Sequence, residues 1–273
     1  MHAGNAGSGG CPVGRNLRLR ILTGGVFAFT FLAAAWLGGL VFRLYILLVG
    51  LALVWEYARL TRLPPSLMGL LWLSLPLVVF RGEHLQQLSG SAALAWVLPL
   101  GAMVYLGERV RRPLPWAAFA FWTLAYLYLF PPVVWVVQVR GQGWGVFLAF
   151  FLMLWASDTG AYAVGKAIGR HPLAPAISPS KTWEGFLGGV VASVLVALWI
   201  SRWVSLPRAG WLGAAVAVSG EVGDLLESAL KRDAGVKDSS RLLPGHGGVL
   251  DRLDSLLLAL PVYWIWMNVM GSG

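Results

Sequence analysis

The acidic residues of this 273-residue chain are few and unevenly placed: of twelve Asp and Glu, seven fall between positions 221 and 254. Glu221, Asp224 and Ser228 follow an i, i+3, i+7 spacing that puts them on one helix face, and Asp251, Asp254 and Ser255 repeat that logic at the start of the next apolar run. An ionised carboxylate at mid-membrane costs about 2.5 to 3.5 kcal/mol on insertion scales, so several in one bundle must be offset by cations or a water-filled cavity. A buried metal site is the economical explanation. Asp158, in the run WASDTGAY, is open to two readings, a structural hydrogen bond within the bundle or a site role.

Between the two acid pairs lies a long connection from Lys231 to Leu250, with Lys231, Arg232, Lys237, Arg241 and the run Pro244-Gly-His-Gly-Gly248. Basic side chains pair with phosphate oxygens, and glycines let backbone amides approach an anion closely. Carboxylates for Mg²⁺ beside cations for phosphates point to nucleoside triphosphate chemistry. His246 is assigned to phosphate contact or loop structure, because a phosphate monoester with a second pKa near about 6 is already a nucleophilic anion and needs no general base. A second polar segment runs from Ser178 to Gly185 (SPSKTWEG). Ser180 or Thr182 can cap the helix that follows, with Glu184 in its first turn, and Ser178, Ser180 and Lys181 at that N-terminus also form a candidate anion site. Gly160 to Ala167 (GAYAVGKA) imitates a phosphate-binding loop at all but one position, but Ala167 replaces the metal-binding hydroxyl and no strand is expected before it.

The elements that must position these residues are membrane helices. Hydrophobic residues make up 58% of the chain and charged residues 12%, with a mean hydropathy of +0.70. That leaves too little charge to coat a water-facing surface. Apolar runs of spanning length recur at 21–38, 40–59, 66–80, 91–107, 115–136, 144–167, 184–201, 209–230 and 252–270. The expected architecture is an all-α, polytopic integral membrane protein of about nine transmembrane helices. The Gly38-Gly39 pair separates the first two spans. Residues 1–14 read as a disordered tail, 15–140 as N-terminal helices and 141–273 as the C-terminal region that holds the chemistry. A single cysteine, Cys11, excludes an internal disulfide.

The net charge of +9 does not mark a nucleic-acid binder, because the 21 Lys and Arg sit in short clusters between apolar runs. With nine spans, sixteen of them fall on the side of the N-terminus and five (Arg43, Arg81, Arg140, Arg202, Arg208) on the other. Cytoplasmic segments hold the excess of Lys and Arg, so the N-terminus is expected inside and the C-terminus outside.

The stretch Ser228-Ala-Leu-Lys-Arg232, then Lys237-Asp238, then Leu243-Pro-Gly-His-Gly-Gly248 and Val249-Leu-Asp-Arg-Leu-Asp254 resembles the full signature of phosphatidate cytidylyltransferases, also called CDP-diacylglycerol synthases. WASDTGAY and SPSKTWEG are similar to further motifs of that family, whereas the first 140 residues match only in hydropathy. The resemblance implies transfer of a cytidylyl group from CTP to phosphatidate within the cell membrane, with Mg²⁺ and often a monovalent cation such as K⁺. It implies a homodimer with a polar cavity open to the cytoplasm and laterally to bilayer lipid. Carried onto this sequence, it places the metal on Asp224 and Asp251 with Asp254 close by. Lys231, Arg232, Lys237, Asp238, His246 and Arg252 would serve catalysis, and Asp158, Ser178, Ser180, Lys181, Ser228 and Arg241 would bind substrate. Intramembrane carboxylates also mark ion-coupled transporters, but these acids gather at one end instead of lining a path across, and no inverted repeat is evident.

Overall fold

The computed structural model describes residues 12–87, 116–245 and 247–270. Most of the expected tail, the expected span 91–107 and His246 lie outside the described residues. The helices are α1 (Pro12–Leu37), α2 (Gly39–Leu60), α3 (Pro65–Gln87), α4 (Trp116–Tyr128), α5 (Phe130–Gly141), α6 (Trp144–Ile168), α7 (Trp183–Ile200), α8 (Ala209–Asp233) and α9 (Leu250–Met270). The all-α expectation needs one amendment. Between α6 and α7 the chain forms a small antiparallel hairpin, β1 (Pro172–Ala174) with β2 (Ser178–Thr182), pairing Pro172 with Thr182 and Ala174 with Ser178.

Helix boundaries follow local chemistry. α1 and α2 are separated where Gly38 and Gly39 both take positive φ, at 64° and 50°, a conformation that side chains disfavour. Expected span 115–136 divides at Leu129, where Pro131 and Pro132 open α5 and lack the amides that would continue α4. Thr182 caps α7, its Oγ1 accepting from Gly185 N at 3.2 Å, and Glu184 sits in the first turn.

Among the described residues, five segments are long and apolar enough to cross a membrane: Gly39–Leu60, Ala120–Gly141, Trp144–Ile168, Trp183–Ile200 and Leu250–Met270. Leu22–Leu37 and Pro65–Phe80 are shorter apolar helices. α8 is less apolar because its last turns hold Glu221, Glu227, Lys231 and Arg232 along with Asp224. Phe42, Phe147, Phe150 and Tyr263 fill the interior, yet Phe29, Leu48, Leu73, Leu195 and Trp211 point outward. Helices apolar on both faces belong in lipid, so this is a helical membrane protein.

The site-bearing helices approach one another closely. A Cβ on Gly188 of α7 would lie 2.5 Å from Val164 Cγ2 of α6, and one on Gly223 of α8 would lie 2.5 Å from the carbonyl oxygen of Asp254 on α9. Glycine at 223 therefore sets the separation of the two helices that carry the acid pairs.

Candidate active site

The hairpin, the end of α8 and the start of α9 meet at one end of the bundle. Lys181, at the end of β2, reaches α8, its Nζ 2.6 Å from Asp224 Oδ2 and 2.8 Å from Glu221 Oε1. Arg232 Nη1 donates to the carbonyl of Val236 at 3.1 Å and Nε to that of Ile177 at 3.4 Å, pinning α8 to the hairpin turn. Glu184 closes the other side of the hairpin: Oε2 accepts from the amides of Arg170 and His171 at 3.1 and 3.2 Å, and Oε1 lies 2.5 Å from His171 Nδ1. Burial works against the Lys181 ammonium, but the charges of Asp224 and Glu221 and their hydrogen bonds outweigh it and hold its pKa above the ordinary lysine value.

Around Lys181 opens a cavity of about 590 Å³ lined by Asp158, Glu221, Asp224, Asp251 and Asp254 together with Ser180, Lys166, Arg252 and Ser255. Carboxylates distant in sequence thus share one wall. Asp224 Oδ1 accepts from Ser228 Oγ at 3.3 Å, one helical turn on, and Asp254 Oδ1 accepts from the Ser255 amide at 2.8 Å. A second cavity, about 310 Å³, shares Asp158, Arg252 and Ser255 with the first and is otherwise lined mainly by Phe27, Phe31, Phe151, Leu154, Trp155 and Leu256.

Asp251 is held more tightly than the other acids that line the cavity. Its Oδ1 accepts from Lys231 Nζ at 2.7 Å, and its Oδ2 from Gly248 N at 2.7 Å, Ser239 N at 2.9 Å and Ser239 Oγ at 3.0 Å. Lys231 also pairs with Glu227 one turn earlier, and both are buried. The glycine-rich run does bring an amide, that of Gly248, to an anion, but the anion is the protein's own Asp251, and the next two amides, of Val249 and Leu250, go to Glu56. Gly247 takes φ +84°, and a Cβ there would lie 2.6 Å from Asp251 Oδ2.

Of the residues singled out in the sequence, Asp158, Ser180, Lys181, Asp224, Asp251, Arg252 and Asp254 line the polar cavity. Ser178, Ser228, Lys231, Arg232, Lys237, Asp238 and Arg241 are not among its lining residues. Lys231 stands behind Asp251, whereas Lys237, Asp238 and Arg241 lie exposed on the connection between α8 and α9. Glu221 and Lys166 join the wall without having been assigned a role, as does Glu227 behind it. Their signal was present in the helical spacing, since Glu221 shares a face with Asp224 and Glu227 precedes Lys231 by one turn.

All five cavity acids offer only oxygen, the donor type that Mg²⁺ takes. Among the described residues no three His, Cys, Asp or Glu are grouped closely enough to hold an ion unaided. Mg²⁺ sites of the nucleotide type use one or two carboxylates and complete their shell with substrate phosphates and water, so the donor set fits that ion.

Residues 18–270 match the model of the cytidylyltransferase family. The chain is 35% identical over 257 residues to the phosphatidate cytidylyltransferase of Staphylococcus epidermidis, covering 90% of this chain and 97% of that protein. It is 34% identical, with the same coverage, to the phosphatidate cytidylyltransferases of Staphylococcus saprophyticus and Staphylococcus aureus. The chain is a member of the phosphatidate cytidylyltransferase family. The match extends well beyond the C-terminal half in which the family signature lies, so the N-terminal helices belong to the family fold as well.

Proposed function

We propose that the chain transfers the cytidylyl group of CTP to phosphatidate, giving CDP-diacylglycerol and pyrophosphate. Family membership supports the reaction class. The structural observation that carries the reading is the junction of two cavities at Asp158, Arg252 and Ser255, one lined by charge and the other mainly by aromatic and aliphatic side chains. A phospholipid has the same division, a phosphate beside acyl chains, and the reacting phosphate would sit where the two cavities meet.

In this reading a phosphate oxygen of phosphatidate attacks the α-phosphorus of CTP, a new P–O bond forms, and the bond to the β-phosphate breaks to release pyrophosphate. Arg252 meets the lipid phosphate because it lines both cavities. Lys181 presents its ammonium to the triphosphate and keeps the negative wall of Glu221 and Asp224 from repelling it. Ser180 supplies a hydroxyl on the same wall. Asp224 and Asp251, with Asp254 close by, are the carboxylates that would hold Mg²⁺, one or two of them at a time with substrate phosphates completing the shell and K⁺ as a companion cation; the bound ion would neutralise charge on the triphosphate and the leaving pyrophosphate. Lys231 acts one layer out by holding Asp251 in place.

The same reading sets the protein in the cell membrane as a homodimer, with nine spans, the N-terminus and the cavity on the cytoplasmic side and the C-terminus outside. The sixteen-to-five charge bias supports that orientation. The deciding experiment is to incubate detergent-purified protein with phosphatidate, Mg²⁺ and each nucleoside triphosphate in turn. Pyrophosphate and a liponucleotide are expected with CTP and not after chelation of divalent metal. An ion-coupled transporter needs a sealed membrane and releases no pyrophosphate, so a correctly folded sample inactive under these conditions would sink the proposal.

A further inference from the structure

Glu56 lies in α2, far from the family signature in sequence, and has 0% exposure. Its Oε1 accepts from Ser240 Oγ at 2.6 Å and Val249 N at 2.9 Å, and its Oε2 from Leu250 N at 2.7 Å and Ser239 Oγ at 3.0 Å. All four donors belong to the connection between α8 and α9 or to the first residue of α9. Burying a carboxylate is expensive, and packing α2 into the bundle would need only an apolar side chain, so the four acceptor positions have to be what the charge is there for. Two of the donors are amides at the N-terminus of α9, where a helix leaves its amides without internal partners and favours negative charge.

The network continues from α2 to the acid wall. The Ser239 hydroxyl lies 3.0 Å from Glu56 Oε2 and 3.0 Å from Asp251 Oδ2. Its single proton serves one carboxylate at a time, while the Ser239 and Gly248 amides hold Asp251 Oδ2 from the loop side. Gly248 leaves the necessary space, since a Cβ there would run into Ser239 Oγ and come within 2.5 and 2.6 Å of the two Glu56 oxygens. α1 adds a further tie, Thr23 Oγ1 donating to the carbonyl of Pro244 at 3.1 Å.

We infer that Glu56 is a positioning residue for the transfer reaction: it clamps the 234–249 connection onto α2 and, through Ser239 and the start of α9, fixes Asp251 at the cavity wall. Only the activity arm of this inference rests on the cytidylyl-transfer reading.

The test compares the full-length detergent-purified protein with Glu56→Gln, Glu56→Asp and Ser240→Ala by two readouts. Hydrogen–deuterium exchange of the peptide covering 239–250 reports the clamp whatever the reaction is. Glu56→Gln, which keeps the volume but sets an amide donor against the loop donors, is expected to speed exchange there and leave α6 and α7 unchanged. Pyrophosphate release is expected to show kcat lowered about tenfold to a hundredfold, the usual cost of losing a supporting partner, with KM for CTP moving far less. Glu56→Asp keeps the charge and should recover part of both losses, which a residue needed only for bulk would not do. Should Glu56→Gln fail to fold, Ser240→Ala removes one donor to Glu56; because Ser240 Oγ also accepts from the Leu242 amide at 3.0 Å, its effect is read at the Val249 and Leu250 amides, which must show the same faster exchange. Wild-type exchange and wild-type kcat in Glu56→Gln, or unchanged exchange in Ser240→Ala, would overturn the inference. A wild-type protein that makes no liponucleotide would instead remove the transfer reading and leave the exchange result to judge the clamp.

Discussion

Lys181 Nζ and Asp224 Oδ2 lie 2.6 Å apart, so the turn that caps α7 and the helix that carries the first acid pair are joined inside the polar cavity. The ammonium also reaches Glu221, so one side chain balances two carboxylates on a wall that must accept a polyanion. Replacing Lys181 with Gln is expected to lower kcat/KM for CTP by about two orders of magnitude, the scale of losing one preorganised electrostatic contact. Lys181→Arg should recover part of the loss, because a planar fork replaces a compact ammonium only approximately.

The raised pKa of Lys181 has a pH consequence. A lysine shifted upward keeps its charge, and with it its pairing to Asp224, at every pH below its ordinary value near about 10.4; the pairing is lost only as pH rises through the higher folded value. The wild-type rate should therefore show no fall due to this group between neutrality and about pH 10. An alkaline fall centred near pH 8 in the wild type, absent from Lys181→Arg, would contradict the pairing.

Asp224 and Asp251 differ in more than position. The Asp251 side chain is 6% exposed and that of Asp224 34% exposed. Both Asp→Asn variants are expected to abolish turnover, yet their stabilities should part. Asp251→Asn leaves Lys231 with Glu227 alone and weakens the loop contacts, so a loss of about 3 kcal/mol is expected, as for a broken buried pair. Asp224→Asn leaves Lys181 paired with Glu221 and should cost less than about 1 kcal/mol, as for a partly exposed pair. Thermal unfolding in one detergent distinguishes them. Equal destabilisation would mean that Asp251 does not organise the loop.

How far the sequence carried this reading depends on whether partners lie close along the chain. The facing of Glu221, Asp224 and Ser228 follows from helical period, the split at Gly38-Gly39 from backbone freedom, and the Thr182 cap from its place before Trp183. The hairpin at 172–182 escaped because two short strands with prolines carry no alternating pattern. Glu56 escaped for a different reason: its partners at 239–250 are remote in sequence, and within α2 it reads only as a polar residue near a helix end. The division at residue 140 placed the chemistry in the second part, whereas Glu56 and Thr23 bind the loop from the first.

Orientation can be tested without chemistry. Reporters fused after Arg111 and within 234–240 are expected in the cytoplasm, and one at the C-terminus outside, as the charge bias requires. A cytoplasmic C-terminus would make the span count even and overturn the assignment of sides.

Gly248 gives the sharpest steric prediction. A Cβ at this position would run first into Ser239 Oγ and would approach both Glu56 oxygens at 2.5 to 2.6 Å, and those oxygens cannot swing away because four hydrogen bonds, one of them from Ser239 Oγ itself, hold them in a fully buried site. Either the loop lifts or Glu56 moves, and both displace the Gly248 amide that donates to Asp251. Gly248→Ala should therefore cost about 1 to 3 kcal/mol of stability, as overpacking does. Its loss of turnover should resemble that of Glu56→Gln. The control is Gly69→Ala in α3, where a Cβ meets nothing within 4 Å. There the methyl should leave turnover unchanged and, by raising helix propensity, stabilise the protein by up to about 1 kcal/mol. If the two alanines behave alike, the fit of Gly248 against Ser239 and Glu56 is not what holds the loop on the acid wall.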